Sequence, residues 1–504
     1  MDTDIIIDRE SGATLSAASC YRALAAKDAR FDGVFFTGVK TTGIYCRPVC
    51  GVKTPRASSC RFFSSAAAAE AAGFRPCLRC RPELAPYALQ QNLAHAVWQR
   101  IAAGALNDGK VERLAQEVGL SSRQLRRVLL QHFGVTPVEL AQTQRLLFAK
   151  KLLQETQLPM TDIAYAAGFG SIRRFNALFS SRYGMAPTAL RREGGAQVRT
   201  PDAVTLRLAY RPPFAWDELL GYLAGRAIPG VEAVHDSAYA RSVRIDEQSG
   251  WLGVAHLPAR RQLELSVSPN LAHQLMPLLA RVRQQFDLDA NPAVIAAHLS
   301  DDPLLGRQIA ATPGLRVPGG FDAFELAVRA VLGQQVSVAG ASTLSGRLAR
   351  AFGARIATPF AGVTHLFPSA ARLAEADPAE IAAIGLPAAR AATIRALAVF
   401  ARQGGLQPRP GAALNEAIAH LTSVSGIGEW TAQYIAMRAL RFTDAFPAAD
   451  LGLRKAAAEG ASRLTEKQLL ARAAHWSPWR AYAAALLWQS LRADKSRRGA
   501  KEKS

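Results

Sequence analysis

The chain has 504 residues and carries 61 lysines and arginines against 40 aspartates and glutamates, a formal net charge of +21. Its length exceeds that of one ordinary domain, and its charge favours a polyanionic partner, most commonly nucleic acid, with a membrane surface as the weaker alternative. No apolar run is long enough to span a membrane and no signal peptide opens the chain, so we expect a cytoplasmic protein.

The first predicted elements are a short helix at 21–27, a strand at 33–39 and a helix in the alanine-rich run 66–72. Two cysteine pairs accompany them, with three and two intervening residues: Cys46 and Cys50, then Cys77 and Cys80. These spacings suit a single tetrahedral zinc ion held by four thiolates. The alternatives are two disulfides or buried free thiols, but a reducing compartment favours a metal. The remaining cysteines, Cys20 and Cys60, lack a partner at ligand spacing and are interpreted as packing residues.

Basic residues surround these cysteines. Four zinc-bound thiolates carry a net charge of about −2, so the cations are available to the DNA backbone. The runs Thr-Thr-Gly-Ile-Tyr-Cys-Arg-Pro-Val-Cys at 41–50 and Gly-Phe-Arg-Pro-Cys-Leu-Arg-Cys at 73–80 resemble the zinc domain of the Ada methylation-response regulators. The resemblance implies that Cys46 irreversibly accepts a methyl group from a DNA methylphosphotriester, and that the lost negative charge switches on promoter binding. The expected DNA contacts of this domain are Thr42, Arg47, Lys53, Arg75 and Arg79.

An internal repeat follows in an all-helical pattern. Leu-Ala-x3-Gly-Leu-Ser at 114–121 recurs as Ile-Ala-x3-Gly-Phe-Gly at 163–170, and each copy predicts a helix-turn-helix whose second helix offers a polar face to a major groove. A single match of this kind is often only a helical hairpin with a solvated charged face. Two copies in tandem beside a basic domain favour DNA binding instead. The arrangement resembles the AraC-type DNA-binding domain, with predicted DNA contacts at Arg123, Arg126, Arg127, Arg173 and Arg174.

Gly194-Gly195 and Pro201 predict a linker. Beyond it, alternating apolar residues predict strands at 204–210, 240–245 and 262–268, with a helix at 216–227. This pattern indicates a small antiparallel sheet with helices. Helical periodicity from residue 323 onward then predicts an all-helical bundle.

Two features of the bundle suggest chemistry. Gly426 and Gly428 lie between two predicted helices, where the backbone can approach a phosphate, although glycines also simply end helices. Asp450 stands at a helix entry, where the ordinary interpretation is an N-cap. Together these residues resemble the helix-hairpin-helix glycosylases, and the run 206–490 is similar to AlkA-type DNA-3-methyladenine glycosylase II.

The resemblance assigns roles within this half. Asp450 would be the catalytic carboxylate that stabilises positive charge on the sugar and orients or deprotonates water, after the base has been flipped out. Trp430, Tyr434 and Trp488 would form an aromatic pocket for a cationic alkylated base, although C-terminal tryptophans are commonly core residues. Trp430 stands where lyase relatives have lysine, which implies base excision without strand cleavage. Gln335 occupies the position of a leucine wedge in the relatives.

The sequence therefore predicts a multidomain chain. Its parts are a small α/β zinc domain (1–84), an all-α tandem helix-turn-helix domain (85–193), an α+β glycosylase half (202–315 and 316–492) and a basic tail without regular structure (493–504). We expect a monomer that binds one zinc ion, damaged and promoter double-stranded DNA and RNA polymerase, and acts as a single-turnover methyltransferase, transcription activator and monofunctional glycosylase. The alternative is a DNA-binding regulator whose glycosylase half is catalytically degenerate.

Overall fold

The computed structural model describes residues 6–7, 14–85, 93–107, 109–193, 202–407, 412–458 and 463–501. The predicted linker at Gly194-Gly195 and Pro201 lies outside this part of the chain. Within the described part, no helix combines the length and apolar character needed to cross a membrane.

The N-terminal domain is built on a four-stranded sheet, which confirms the predicted small α/β fold. Its elements are β1 (Ile6–Ile7), β2 (Thr14–Leu15), α1 (Ala17–Ala25), β3 (Phe36–Val39), β4 (Ile44–Cys46), β5 (Cys60–Phe63), α2 (Ala66–Ala71) and β6 (Arg75–Pro76). The strand order is β5-β3-β4-β6, and only the β4–β6 pair is parallel. This parallel pair brings Cys46, the last residue of β4, beside Cys77, which directly follows β6.

The next domain contains both predicted helix-turn-helix units. Its helices are α3 (Leu93–Ala102), α4 (Val111–Glu117), α5 (Ser122–Phe133), α6 (Pro137–Glu155), α7 (Met160–Ala166), α8 (Ile172–Tyr183) and α9 (Pro187–Glu193). The turn glycines Gly119 and Gly168 have φ of +70° and +78°, which a side chain would strain. The first unit is α4–α5 and the second is α7–α8, and the long helix α6 joins them.

A five-stranded antiparallel sheet follows, in the order β7-β11-β10-β9-β8. The elements are β7 (Val204–Ala209), α10 (Trp216–Ala224), β8 (Glu232–His235), β9 (Ala238–Ile245), β10 (Gln248–Leu257), β11 (Gln262–Val267), α11 (Leu275–Gln285), α12 (Pro292–Leu299) and α13 (Pro303–Ala311). The sequence prediction lacked β8 and β10. Gly250 and Gly253 obscure the alternation of β10, yet Gly253 is a packing position, because a Cβ there would lie 2.8 Å from the Phe360 ring.

The remainder is the predicted helical bundle. Its helices are α14 (Ala323–Leu332), α15 (Val338–Phe352), α16 (Ala370–Glu375), α17 (Pro378–Ala382), α18 (Ala388–Arg402), α19 (Leu414–Thr422), α20 (Glu429–Arg438), α21 (Leu451–Ala456), α22 (Glu466–Ala473) and α23 (Arg480–Lys501). Helix α23 continues through most of the tail for which the sequence predicted no regular structure, so that prediction was wrong. The tail contains no proline, and its alanines, lysines and arginines are strong helix formers.

The helix-turn-helix domain and the five-stranded sheet share a hydrophobic core. Buried residues of α6, α7 and α8, including Leu152, Ile163 and Phe175, belong to the same apolar cluster as Leu206 and Leu265 of the five-stranded sheet. Continuous apolar burial of this kind favours a fixed relation between the two halves rather than loosely tethered domains.

Candidate functional site

The four clustered cysteines form a donor set that fits zinc. Their sulfurs all lie within 4.8 Å of one another. A tetrahedral zinc ion with bonds of about 2.3 Å requires sulfurs about 3.8 Å apart, so the spacing is suitable. The backbone N–H of Arg47 donates to Cys80 Sγ at 3.4 Å, and that of Cys80 donates to Cys77 Sγ at 3.5 Å. Such outer contacts orient ligands around a metal.

The Arg47 side chain is turned into the zinc domain. Its guanidinium forms a buried ion pair with Asp32, in which Nε donates to Oδ1 at 2.8 Å, and Nη1 donates to the Cys80 carbonyl at 3.1 Å. The two side chains are 11% and 7% exposed. The Arg47 guanidinium is thus engaged inside the domain in this structure, and its predicted DNA contact stays a prediction.

The other predicted DNA contacts of this domain lie on the surface. Thr42, Lys53, Arg75 and Arg79 are all exposed. The Thr42 hydroxyl can hydrogen-bond a phosphate, and the three cations can neutralise the phosphate charge. Their roles stay predictions.

The second helix of each helix-turn-helix unit has one buried and one cationic face. Leu125 and Leu129 of α5 and Phe175 and Phe179 of α8 are fully buried. The predicted DNA contacts lie on the opposite, exposed faces: Arg123, Arg126, Arg127, Arg173 and Arg174. Both helices thus present a basic surface of the kind that enters a major groove.

In the C-terminal half, Asp450 lines a cavity of about 1180 Å³ between the bundle and helix α10. Its carboxylate is an N-cap, since Oδ1 accepts the Leu453 N–H at 2.9 Å. It also accepts two indole N–H bonds, from Trp488 to Oδ1 at 3.1 Å and from Trp430 to Oδ2 at 3.3 Å. The N-cap geometry therefore fixes a carboxylate that faces an aromatic cavity, and the catalytic role of Asp450 stays a prediction.

The three predicted pocket aromatics come together at this cavity. Trp430 stacks on Tyr434 with ring centroids 5.5 Å apart and planes inclined by 14°, and Tyr434 meets Trp488 at 6.2 Å. All three are partly exposed, whereas Trp476 and Trp479 are buried at 1% and 6%. Trp476 and Trp479 therefore belong to the core, whereas Trp430, Tyr434 and Trp488 line the cavity.

The sequence analysis missed an arginine–tyrosine layer that borders the cavity. Arg438 Nη1 donates to the Tyr434 hydroxyl at 2.5 Å and also to the Tyr222 hydroxyl, and Arg226 lies 3.9 Å from the Tyr222 ring centroid. Burial opposes ionisation of Tyr222, but Arg226 and Arg438 outweigh it and lower its pKa to about 8. No local motif marks Tyr222, because its hydrogen-bond partners Tyr434 and Arg438 follow it by 212 and 216 residues in the sequence.

The glycine hairpin stands beside the same cavity. Gly426 has φ of +86°, and a Cβ there would lie 2.0 Å from Thr393 Oγ1. Gln334 Nε2 bonds both the Gly426 carbonyl and Thr431 Oγ1 at 3.1 Å. Gly428 is the N-cap of α20, and a Cβ there would meet no atom within 4 Å. Thr393 and Gln334 therefore pack against the hairpin at Gly426. The open space at Gly428 leaves room for a phosphate to approach the backbone there.

Gln335, the predicted wedge, lies on the rim of the cavity. It is exposed and has φ of +58°, a left-handed conformation that residues other than glycine seldom adopt. Its neighbour Val336 is 38% exposed. A strained, outward-pointing residue at this rim is compatible with insertion into a base stack, and the assignment stays a prediction.

Four family models match successive stretches of the chain. They are the metal binding domain of Ada at 19–83, a helix-turn-helix domain at 114–193, the AlkA N-terminal domain at 205–322, and the HhH-GPD superfamily of base excision DNA repair proteins at 328–480. The order of these matches along the chain is the order of the structural units.

Relatives cover the chain at two scales. A probable bifunctional transcriptional activator/DNA repair enzyme AlkA of Mycobacterium tuberculosis is 42% identical over 480 residues, covering 94% of this chain and 96% of the relative. A DNA-3-methyladenine glycosylase 2 of Escherichia coli is 39% identical over 281 residues, 56% of this chain and 95% of the relative. A solved 3-methyladenine DNA-glycosylase from Archaeoglobus fulgidus has the fold of the C-terminal half, with a TM-score of 0.50, 19% identity, and 56% and 97% coverage.

Proposed function

Because the chain belongs to the family of bifunctional transcriptional activators and DNA repair enzymes of the AlkA type, we propose that it senses DNA methylation and removes alkylated bases. The zinc domain takes a methyl group from a DNA methylphosphotriester onto Cys46 and thereby activates transcription. The C-terminal half hydrolyses the N-glycosidic bond of 3-methyladenine-type bases without cutting the strand.

The transfer to Cys46 is a direct displacement. The Cys46 sulfur forms a bond to the methyl carbon as the bond from that carbon to the phosphate oxygen breaks, and the phosphodiester leaves as an anion. When bound, zinc keeps the four sulfurs in the nucleophilic thiolate form. The exposed Arg75 and Arg79 neighbour the cysteines and suit the surrounding phosphates.

Methylation then acts as a charge switch. Conversion of one thiolate into a neutral thioether removes about one negative charge from the cysteine cluster, so that phosphate is repelled less. The promoter contacts proposed for the methylated protein are those of the two basic helices α5 and α8, together with the exposed cations of the zinc domain.

The observation that carries the glycosylase proposal is the Asp450 carboxylate, held by two indole N–H groups within an aromatic cavity. A carboxylate fixed in this way stabilises positive charge that develops on the sugar and orients the attacking water. The hairpin glycines Gly426 and Gly428 suit the DNA backbone beside the flipped nucleotide.

The remaining assignments extend from this function. We assign one zinc ion to the four-cysteine site, RNA polymerase as the partner in activation, a monomeric state, and the cytoplasm as the compartment. The zinc assignment is supported by the single four-cysteine cluster among the described residues, and the helix-turn-helix and HhH-GPD matches support DNA as a partner.

The decisive experiment for the enzyme is a base-release assay on alkylated duplex DNA with the full chain and its Asp450→Asn variant. Asparagine is as good an N-cap as aspartate, so this variant keeps the local fold. We expect the wild type to release alkylated bases and D450N to lose at least about a hundredfold in rate. Equally slow release by both proteins would refute the enzyme and favour a regulator with a degenerate glycosylase half.

A further inference from the structure

A residue of the glycosylase half reaches into the zinc domain. The Arg211 guanidinium, which follows strand β7, donates to the main-chain carbonyl of Asp32 from Nη2 at 2.7 Å and from Nε at 3.2 Å. Both residues are buried, at 2% and 5% exposure. Nearby, Asn291 Nδ2 donates to the Arg30 carbonyl at 3.2 Å. The segment 30–32 of the zinc domain is thus held by polar bonds from the other half of the protein.

This contact continues to the cysteine cluster. Asp32 uses its carboxylate to hold the Arg47 guanidinium, and Arg47 bonds both the Cys80 carbonyl and, through its backbone N–H, Cys80 Sγ. Arg47 also directly follows Cys46 in the chain. An unbroken series of hydrogen bonds therefore runs from Arg211 to the residue adjoining the methyl acceptor and to one of its zinc ligands.

Residues of the glycosylase half hold Arg211 in place. Its Nη1 donates to the Asp289 carbonyl at 2.7 Å, and its own carbonyl accepts from Arg316 Nη2 at 2.6 Å. Arg316 is 1% exposed. Because Arg211 is buried and is held by Asp289 and Arg316, it can fix the position of Asp32.

We propose that Arg211 of the glycosylase half is a positioning residue for methyl transfer at the zinc site. It fixes Asp32, which fixes Arg47 and so the backbone at Cys46. The inference rests on the proposed function of Cys46. It implies that the sensor reaches full activity only while docked on the glycosylase half. A misplacement of the acceptor backbone lowers the transfer rate, because displacement at carbon depends on alignment of the attacking atom.

The test uses the full chain and a small substrate, a dithymidine methylphosphotriester, so that contacts to duplex DNA do not enter. The rate of methyl uptake is followed by intact mass at saturating substrate. We expect Arg211→Ala to lower this rate by about tenfold or more and Arg211→Lys to restore part of it. Arg260→Ala, which changes an exposed arginine of the same subdomain, is the matched control and should keep the wild-type rate.

Zinc content, melting temperature and base release are measured on the same samples. A slow variant with normal zinc, melting and base release supports positioning, because general destabilisation would alter all four readouts. Wild-type methyl uptake by a zinc-loaded R211A overturns the proposal. If R211A does not fold, R211K and Asn291→Ala decide, and wild-type rates in both overturn it. If the wild type takes up no methyl group, the sensor chemistry itself fails, which the unmodified control distinguishes from failure of this inference.

Discussion

The hydroxyl of Tyr45 donates to the buried carboxylate of Glu70 across 3.0 Å. Tyr45 directly precedes Cys46, and the other oxygen of Glu70 accepts from Thr143 of α6 at 3.0 Å and lies 3.7 Å from the Arg182 guanidinium of α8. One carboxylate therefore connects strand β4, which ends at Cys46, to both helix α6 and helix α8 of the helix-turn-helix domain.

Glu70 should make stability depend on pH. Burial raises its pKa from 4.5 to about 7, although Arg182 and Thr143 act in the opposite direction. The folded state therefore holds a proton that the unfolded state loses, and stability falls as pH rises from about 4.5 to 7. Glu70→Gln removes this titration. Denaturant titrations give the free energy of unfolding of E70Q minus that of the wild type. We expect this difference to rise by about 2–3 kcal/mol from pH 5 to pH 8. An unchanged difference between the two proteins would contradict the assignment.

Trp488→Phe tests how the proposed catalytic carboxylate of Asp450 is held in place. The change keeps an aromatic ring but removes the N–H that donates to Asp450 Oδ1. Because hydrogen bonds to charged groups contribute about 1.5–3 kcal/mol, base release should slow by about tenfold or more while binding to undamaged DNA stays the same. Trp479→Phe, at a buried tryptophan outside the cavity, is the control. Equal base-release rates in the two variants would exclude a specific role for Trp488.

The two hairpin glycines should respond differently to alanine. Gly426→Ala places a Cβ at positive φ and 2.0 Å from Thr393 Oγ1, so we expect a lower melting temperature, at a cost of about 1–3 kcal/mol. Gly428→Ala meets no atom within 4 Å and should melt like the wild type. If Gly428 approaches a DNA phosphate, its variant will nevertheless bind duplex DNA more weakly, which fluorescence anisotropy can measure. A G428A protein with full DNA affinity would remove Gly428 from the interface.

Zinc content separates the clustered cysteines from the others. Cys77→Ser removes one of the four sulfurs and should abolish or strongly reduce bound zinc after purification. Cys60→Ser, at a cysteine outside the cluster, should keep one zinc ion per chain. Metal analysis of both variants is sufficient, and equal zinc in the two would show that Cys77 is not a ligand.

The sequence predicts best what is local. Cysteine spacing, the repeated helix-turn-helix and the helical periods each depend on neighbouring residues, and the structure confirms the cluster, the repeat and the bundle. Strand β10 escaped prediction because the two glycines that let other groups pack on it also erase its alternating pattern.

The missed parts of the site depend on distant residues. Arg47 belongs by sequence to a set of surface cations, but Asp32 lies fifteen residues earlier and draws its guanidinium inward. Tyr222 joins the cavity through partners 212 and 216 residues away, Tyr434 and Arg438. Composition and residue spacing do not predict such pairings, because the paired residues meet only when the chain is folded.

The most direct test of the account is the mass of the Cys46 peptide after the zinc-loaded full chain has been incubated with duplex DNA that carries methylphosphotriesters. We predict the gain of a single methyl group on Cys46, with Cys50, Cys77 and Cys80 unchanged. A methyl group on another of these cysteines, or none on any of them, would contradict the account.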